Sequence, residues 1–521
     1  MIREVDLKAK KAFLLIFMVL AVFVVYVGRM FYLSVILYNP ITEKNRNELL
    51  YENLKERADI VDRNGKILAT DVKTKDLYII KELLEDENFA VKELSKLLGV
   101  SEKHLLEKIT RSKGKNILIK RYIMPPLEKQ LRQLPIAAIS FTDNLLRYYL
   151  HDNLFANVIG YTDVERNGII GMENFYDNYL KNSSEPLKLT LDLNVQNTLY
   201  NELKTAQKQY QTNFIVGIIS EIKTGNILAA ISLPDYNLNK NDDKIKSFNK
   251  ITQGLYEAGS ILKIFTISNA LENKVVTRDT VIDVSQPIEY LNFVIKDGRQ
   301  VKKKKLTVTE IFLLSSNIGV VKLAEKLGKT KQVDFFEKVG LLERIVTDFN
   351  QTSLPLQPRI WKDINLMTIS YGYGIAISPL HIIQATNAIL NDGNFISPRF
   401  SYNFDNQVKR RVLSKETSDT IKNFFSLTTK QGTAAGSGID GLNFGGKTGT
   451  AEKISAGSYK KGEHLASFVG AFPMQDPQYS VFILMDRPKD TGGEAGGMAA
   501  SRVAKDVVLG VIKFLDIKPI Y

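Results

Sequence analysis

The chain has 521 residues, 44% hydrophobic and 24% charged, a globular balance that excludes disordered, collagen-like and low-complexity chains. Its formal net charge of +13 fits nucleic acid, an anionic membrane face or an anionic polymer without choosing among them. It holds no cysteine, and His104, His151, His381 and His464 are scattered, so zinc-finger, iron–sulfur, thiol-protease and disulfide chemistry fall away and no metal site is expected. Hydroxyls, lysines, carboxylates and amides are left to carry any chemistry.

The first element in chain order is apolar. Residues 12–28, AFLLIFMVLAVFVVYVG, carry no charge, and as a helix they span about 25 Å, slightly short of a hydrocarbon core. The run resumes beyond Arg29 through MFYLSVILY, 30–38, and Arg29 can snorkel to the far interface. Arg3, Lys8, Lys10 and Lys11 crowd the N-terminal flank, so the positive-inside bias places residues 1–11 in the cytoplasm and the bulk outside. A cleaved signal peptide is the rival reading, but the apolar core is long and no small-x-small site follows it. The expectation is an uncleaved anchor at 12–36, which turns the basic excess away from nucleic acid.

Residues 37–190 are charge-rich and mixed, with a helix predicted in LLEDENFAVKELSKLLG, 83–99. At 187–203 a strand-like alternation passes into a helical pattern. The stretch 214–234 reads as two strands around a turn at Lys223–Asn226, with Gly225 supplying a positive φ. Helical patterns then alternate with short strands, ending with YSVFILMD, 479–486, and a helix near 496–515. The predicted organisation is a tail (1–11), an anchor (12–36), an elongated N-terminal module (37–190) and an α/β domain (191–521).

Ser-x-x-Lys puts a nucleophile and a base one helical turn apart. The pattern occurs at Ser112/Lys115, Ser220/Lys223, Ser247/Lys250, Ser260/Lys263 and Ser458/Lys461. Only Ser260 follows a glycine and opens a strongly apolar helix, AGSILKIFTISNALEN, where it meets the positive end of a helix dipole. An N-cap serine with an exposed lysine is the plain alternative. Downstream, IFLLSSNIGVVKLAEKLG (311–328) sets Ser315, Ser316 and Asn317 in an apolar segment, where buried polar groups must cap locally or line a cleft. NFGGKTGTAEK (443–453) reads as a strand edge with a cation, Lys447, two hydroxyls, Thr448 and Thr450, and a side-chain-free position for ligand approach, Gly449. Lys223-Thr224-Gly225 has the same three letters but belongs to the hairpin turn. The run Lys302–Lys305 reads as a solvated loop, and Trp361, Tyr371 and Tyr373 as packing aromatics.

The ordered triple Ser260-x-x-Lys263, Ser315-x-Asn317, Lys447-Thr448-Gly449 resembles the active-site signature of penicillin-binding proteins and serine β-lactamases. The resemblance extends to class B penicillin-binding proteins through ERADIVDRNGKILAT (56–70), NGIIGMENFYDNYL (167–180), ISYGYGIAISPLHIIQATNAILNDG (369–393) and HLASFVGAFP (464–473). Departures are Ala58 where the family usually has glycine, Ala258 where it has proline, and RYYL (147–150) without a proline. The implied fold is an α/β (α+β) transpeptidase domain, with a central antiparallel sheet, helices on both sides and a helical subdomain. A pedestal or dimerisation module and one transmembrane helix precede it, and Glu173 is read as serving the interdomain fold.

The resemblance also implies roles. Ser260 attacks the carbonyl between two terminal D-alanines of a cell-wall stem peptide, with Lys263 as base. Ser315 relays the proton to the departing D-alanine and Asn317 holds the donor amide. Lys447, Thr448 and Thr450 receive the terminal carboxylate, and the N–H groups of Ser260 and Thr450 form the oxyanion hole. A stem-peptide amine then resolves the acyl-enzyme, while β-lactams acylate Ser260 and stay. No cofactor or metal is implied. The implied partners are stem peptides, nascent glycan strands and division-complex membrane proteins including a glycosyltransferase, at the inner membrane and its septum.

Rival readings remain open. A membrane-anchored serine β-lactamase shares the triple, but no Glu-x-x-Leu-Asn lies between Ser316 and Lys447. In a bifunctional synthase, Glu85-Asp86-x-x-Phe89 begins the glycosyltransferase signature, yet Lys92 takes the histidine position. A β-lactam sensor or vestigial scaffold fits poorly with an intact triple and a short tail. Between septal and elongation transpeptidases, 451–489 and 491–503 look more like the septal type.

Overall fold

The computed structural model describes residues 2–31, 55–240, 248–291, 293–298, 300–455, 458–489, 491, 496–515 and 517. The chain divides into two compact units, Met1–Glu56 with Lys73–Leu145, and Arg57–Val72 with Leu146–Tyr521.

In the first unit a helix runs over Ile2–Phe31, and the described side chains from Phe17 to Phe31 are exposed. Among the described residues no helix is long and apolar enough to cross a membrane, and residues 32–36 of the anchor expected at 12–36 lie outside the described residues. The rest of this unit is a small α/β body. Helices Glu87–Leu98 and Glu102–Arg111 start at Asp86 and Ser101, whose side chains accept from Phe89 N and His104 N. They pack Leu94, Leu98, Leu105 and Ile109 against Leu77, Ile79, Ile117 and Ile119 of an antiparallel strand pair.

The second unit is built on a five-stranded sheet. Its strands are β1 (Ile215–Glu221), β2 (Ile227–Leu233), β3 (Gly445–Ser455), β4 (Ser458–Phe472) and β5 (Tyr479–Asp486), antiparallel throughout in the order β3-β4-β5-β1-β2. The expected hairpin at 223–226 joins β1 to β2, with Gly225 at φ +73°. Period-two alternation divides the strands between two cores. Ile215, Ile219, Val481 and Ile483 face one side, while Val216, Ile218, Phe482 and Leu484 face the other. The first side is covered by α1 (Leu193–Gln209) and α7 (Gly496–Val511), which bring Leu199, Leu203, Val503 and Val507. Gly217 lets α1 come close, since a Cβ there would lie 2.8 Å from both Leu199 and Leu203.

The other side carries α2 (Lys263–Glu272), α5 (Pro379–Leu390) and α6 (Lys415–Gln431). With α3 (Val308–Leu314) and α4 (Asn317–Leu327) this side forms the helical part of the domain. Trp361 packs edge-on to Phe336 at 6.1 Å, and Lys303 pairs with Glu310 on the surface.

The compact units do not follow the linear division expected at residue 190, because segments 57–72 and 146–190 join the larger unit. A buried charge cluster binds them into it. Glu173 pairs with Arg57 and Arg147 at 2.7 Å each, Arg57 reaches Asp177 at 2.8 Å, and Arg166 reaches Asp71 at 2.7 Å. Glu173, expected to serve an interdomain fold, thus has its ion-pair partners inside one unit.

Candidate active site

Ser260 lies in a short 3₁₀ turn, Gly259–Leu262, that feeds into α2 at Lys263. The turn is wedged between main chains. Gly259 has φ +54°, and a Cβ there would sit 2.4 Å from the Thr450 carbonyl oxygen. On its other side Gly259 N donates to Gly372 O at 3.2 Å. Ala258, in the place where proline was expected, is buried and leaves this wedge intact. The outcome is that Ser260, half-buried, lies beside β3.

The Ser315–Asn317 segment is an elbow between α3 and α4. Ser315 caps α3 in the left-handed region at φ +57°, a strained conformation for a serine. Ser316 caps α4 by accepting from Gly319 N at 2.9 Å, and Asn317 is the first residue of that helix. The elbow explains the three polar residues in an apolar run.

Lys263 and Lys447 are both fully buried and both aim at this elbow. Lys263 Nζ donates to Asn317 Oδ1 at 2.6 Å, Ser315 O at 2.7 Å and Ser315 Oγ at 3.1 Å. Lys447 Nζ, from β3, donates to Ser315 Oγ at 3.1 Å. Two amines on one hydroxyl cannot both keep a charge cheaply in a dry site. Burial, reinforced by the charge of Lys447, holds Lys263 well below the usual lysine range, while Asp297 opposes the shift. Burial alone brings Lys447 down to about 7. The arrangement therefore favours loss of the Lys263 proton, with Lys447 changing charge near neutrality.

A cleft of about 400 Å³ opens on these groups, lined by Ser260, Ser315, Asn317, Thr448 and Thr450 among others. Thr448 Oγ1 pairs with Thr433 Oγ1 at 2.7 Å, and Thr450 is exposed. Gly449 points elsewhere. A Cβ there would lie 2.4 Å from Ser467 Oγ and 2.7 Å from Ala258 O, so its missing side chain admits the serine turn itself. Among the described residues no group of three or more His, Asp or Glu is placed to hold a metal ion.

The structure thus gathers Ser260, Lys263, Ser315, Asn317, Lys447, Thr448 and Thr450 at one cleft from four separate elements. Residues 215–509 match the model of the penicillin binding protein transpeptidase domain, and 53–218 that of the penicillin-binding protein dimerisation domain. The chain belongs to the penicillin-binding protein transpeptidase family. It is 30% identical to a probable peptidoglycan D,D-transpeptidase FtsI of Caulobacter vibrioides, over 89% of this chain and 82% of that one. It is 28% identical to a probable peptidoglycan D,D-transpeptidase PenA of Neisseria meningitidis, over 96% and 93%. With the stage V sporulation protein D of Bacillus subtilis it shares 25% identity over 99% and 88%.

Two residues at or beside this cleft escaped the reading of the sequence. Thr433 sits in Gln-Gly-Thr at the end of α6, where nothing local marks it. Asp297, in Lys-Asp-Gly, reads only as a turn, yet its carboxylate holds the start of α4.

Proposed function

We propose that the protein is a septal peptidoglycan D,D-transpeptidase working through a Ser260 acyl-enzyme. The observation that carries this reading is the pair of buried lysines converging on Ser315 Oγ beside the serine turn. In the first half-reaction the neutral Lys263 amine takes the Ser260 proton while Oγ bonds to the carbonyl carbon of the penultimate D-alanine. The developing oxyanion is received by the N–H groups of Ser260 and Thr450. The amide C–N bond breaks, and Ser315 passes the proton from Lys263 to the departing D-alanine nitrogen. Lys447 in its charged form, with Thr448 and Thr450, receives the terminal carboxylate. Asn317 Nδ2 already donates to Lys296 O at 2.9 Å, and its second hydrogen serves the donor peptide.

In the second half-reaction an acceptor stem-peptide amine attacks the ester, its proton returns through Lys263, and Ser260 is released as the cross-link forms. A β-lactam enters the first half-reaction by ring opening, and its leaving group stays attached, which keeps Ser260 blocked.

In this reading residues 1–11 are cytoplasmic, 12–36 anchor the chain in the inner membrane, 37–190 form the non-catalytic module and 191–521 carry the chemistry outside. The FtsI name of the Caulobacter relative supports the septal assignment, with a glycosyltransferase and other division membrane proteins as partners. The test is labelling with a fluorescent penicillin. Ser260→Ala is expected to lose all labelling while the folded protein persists, and retained labelling would move the nucleophile elsewhere. Slow nitrocefin turnover is expected, and rapid turnover would favour a β-lactamase.

A further inference from the structure

Between the strand Phe293–Ile295 and α3, the chain carries a short loop against the cleft. Gly298 and Gln300 of this loop line the cleft, and Gln300 Nε2 donates to Leu314 O at 3.1 Å, tying it to the end of α3. Its centre is Asp297. One carboxylate oxygen accepts from Asn317 N at 2.5 Å and from Ile318 N at 3.0 Å. The other accepts from Ser316 Oγ at 2.7 Å. These are the open donors at the start of α4, where a helix has no carbonyl partners of its own and favours a negative charge. Lys296 O, next door, accepts from Asn317 Nδ2. Two successive loop residues therefore clasp Asn317 by its main chain and by its amide, leaving Asn317 Oδ1 to face Lys263 Nζ at 2.6 Å.

Resting on the reading of Lys263 as base, we propose that Asp297 is a positioning residue of this site: its carboxylate fixes Asn317 against Lys263, and its charge counters that of Lys447. Two separable duties follow. Placement comes from the hydrogen bonds, which set where the Asn317 oxygen lies. The charge acts on the proton of Lys263. Among the described residues, the charged groups that bear on this amine are Lys447 from β3 and Asp297 from the loop, and they pull in opposite directions. Lys447 favours the neutral amine needed for attack, and Asp297 favours the ammonium. Without Asp297, Lys263 sheds its proton at lower pH and its Asn317 partner loses its anchor.

Two variants of the full-length chain separate these duties. Acylation rate constants with a fluorescent penicillin are measured from acid to alkaline pH, with thermal melts to verify folding. Asp297→Asn keeps the shape and removes the charge. Its acid limb is expected to move to lower pH by roughly half to one unit, with a maximal rate within about threefold of wild type. Asp297→Glu keeps the charge and displaces it by a methylene. Its acid limb is expected to stay, while its maximal rate falls about tenfold or more as Asn317 is shifted. An unmoved acid limb in Asp297→Asn, or an undiminished rate in Asp297→Glu, overturns the proposal. Should the glutamate variant fail to fold, the isosteric asparagine variant decides alone. Ser260→Ala keeps the two levels apart. If that variant still labels, the transpeptidase reading fails. If it does not and the Asp297→Asn profile is unmoved, only the role of Asp297 fails.

Discussion

Two clusters of buried charge lie in the larger unit, and they are built on opposite principles. Around Glu173 every cation has a carboxylate: Glu173 pairs with Arg57 and Arg147, Asp71 pairs with Arg147, and these four side chains have almost no exposed surface. Burial alone would lower the pKa of Arg147, but Glu173 and Asp71 outweigh it and hold the guanidinium above its ordinary value. Around Ser315 the two buried amines meet each other, and both lose their grip on a proton. A paired cluster holds segments together; a mismatched one stores reactivity.

The contrast breaks most severely at Lys263. Lys263→Met is expected to lower acylation by about 10³-fold while the protein remains folded, because it removes an amine whose burial is unfavourable. A melt showing collapse instead would make Lys263 a structural residue. Glu173→Ala is the converse. It removes the carboxylate that Arg57 and Arg147 share and leaves them only Asp177 and Asp71, with an expected loss of about 3–5 kcal/mol in unfolding free energy, while folded molecules still acylate at the wild-type rate.

The pH profile sharpens the same contrast. Second-order acylation is expected to rise as Lys263 loses its proton, and to fall above about 7 as Lys447 loses the charge that receives the carboxylate. Stability moves the other way on the alkaline side. Folded Lys447 releases its proton near 7 and the unfolded lysine near 10.5, so between those values the unfolded state binds more protons and stability rises with pH. Unfolding measured across that window is expected to show a flatter slope in Lys447→Met. The smallest effect belongs to Lys223, whose exposed pair with Asp476 at 2.9 Å carries little. Lys223→Ala is expected to change stability by less than about 0.5 kcal/mol and acylation not at all.

Much of the site was legible because its parts are local. A glycine before Ser260, an apolar helix after it and a lysine one turn on are visible in a few letters, as are the β1–β2 hairpin and the period-two strands. What could not be read is what depends on distant segments meeting. Asp297 looks like any turn aspartate until α4 begins beside it, and Thr433 gains meaning only opposite Thr448. The charges around Glu173 come from stretches more than a hundred residues apart, so the division into compact units was invisible in linear order. Gly449 was expected to make room for a ligand, and it makes room for the protein's own chain.

Gly259, Gly372, Gly449 and Gly497 interlock the serine turn, β3 and α7 so closely that a single added methyl at any of them meets a neighbouring atom at 3.0 Å or less. The gauge of the slot is therefore machined from bare peptide, with no side chain to trim. Any change in the shape of the cleft is thereby left to the side chains that line it, such as Gln300, Thr433 and Met498.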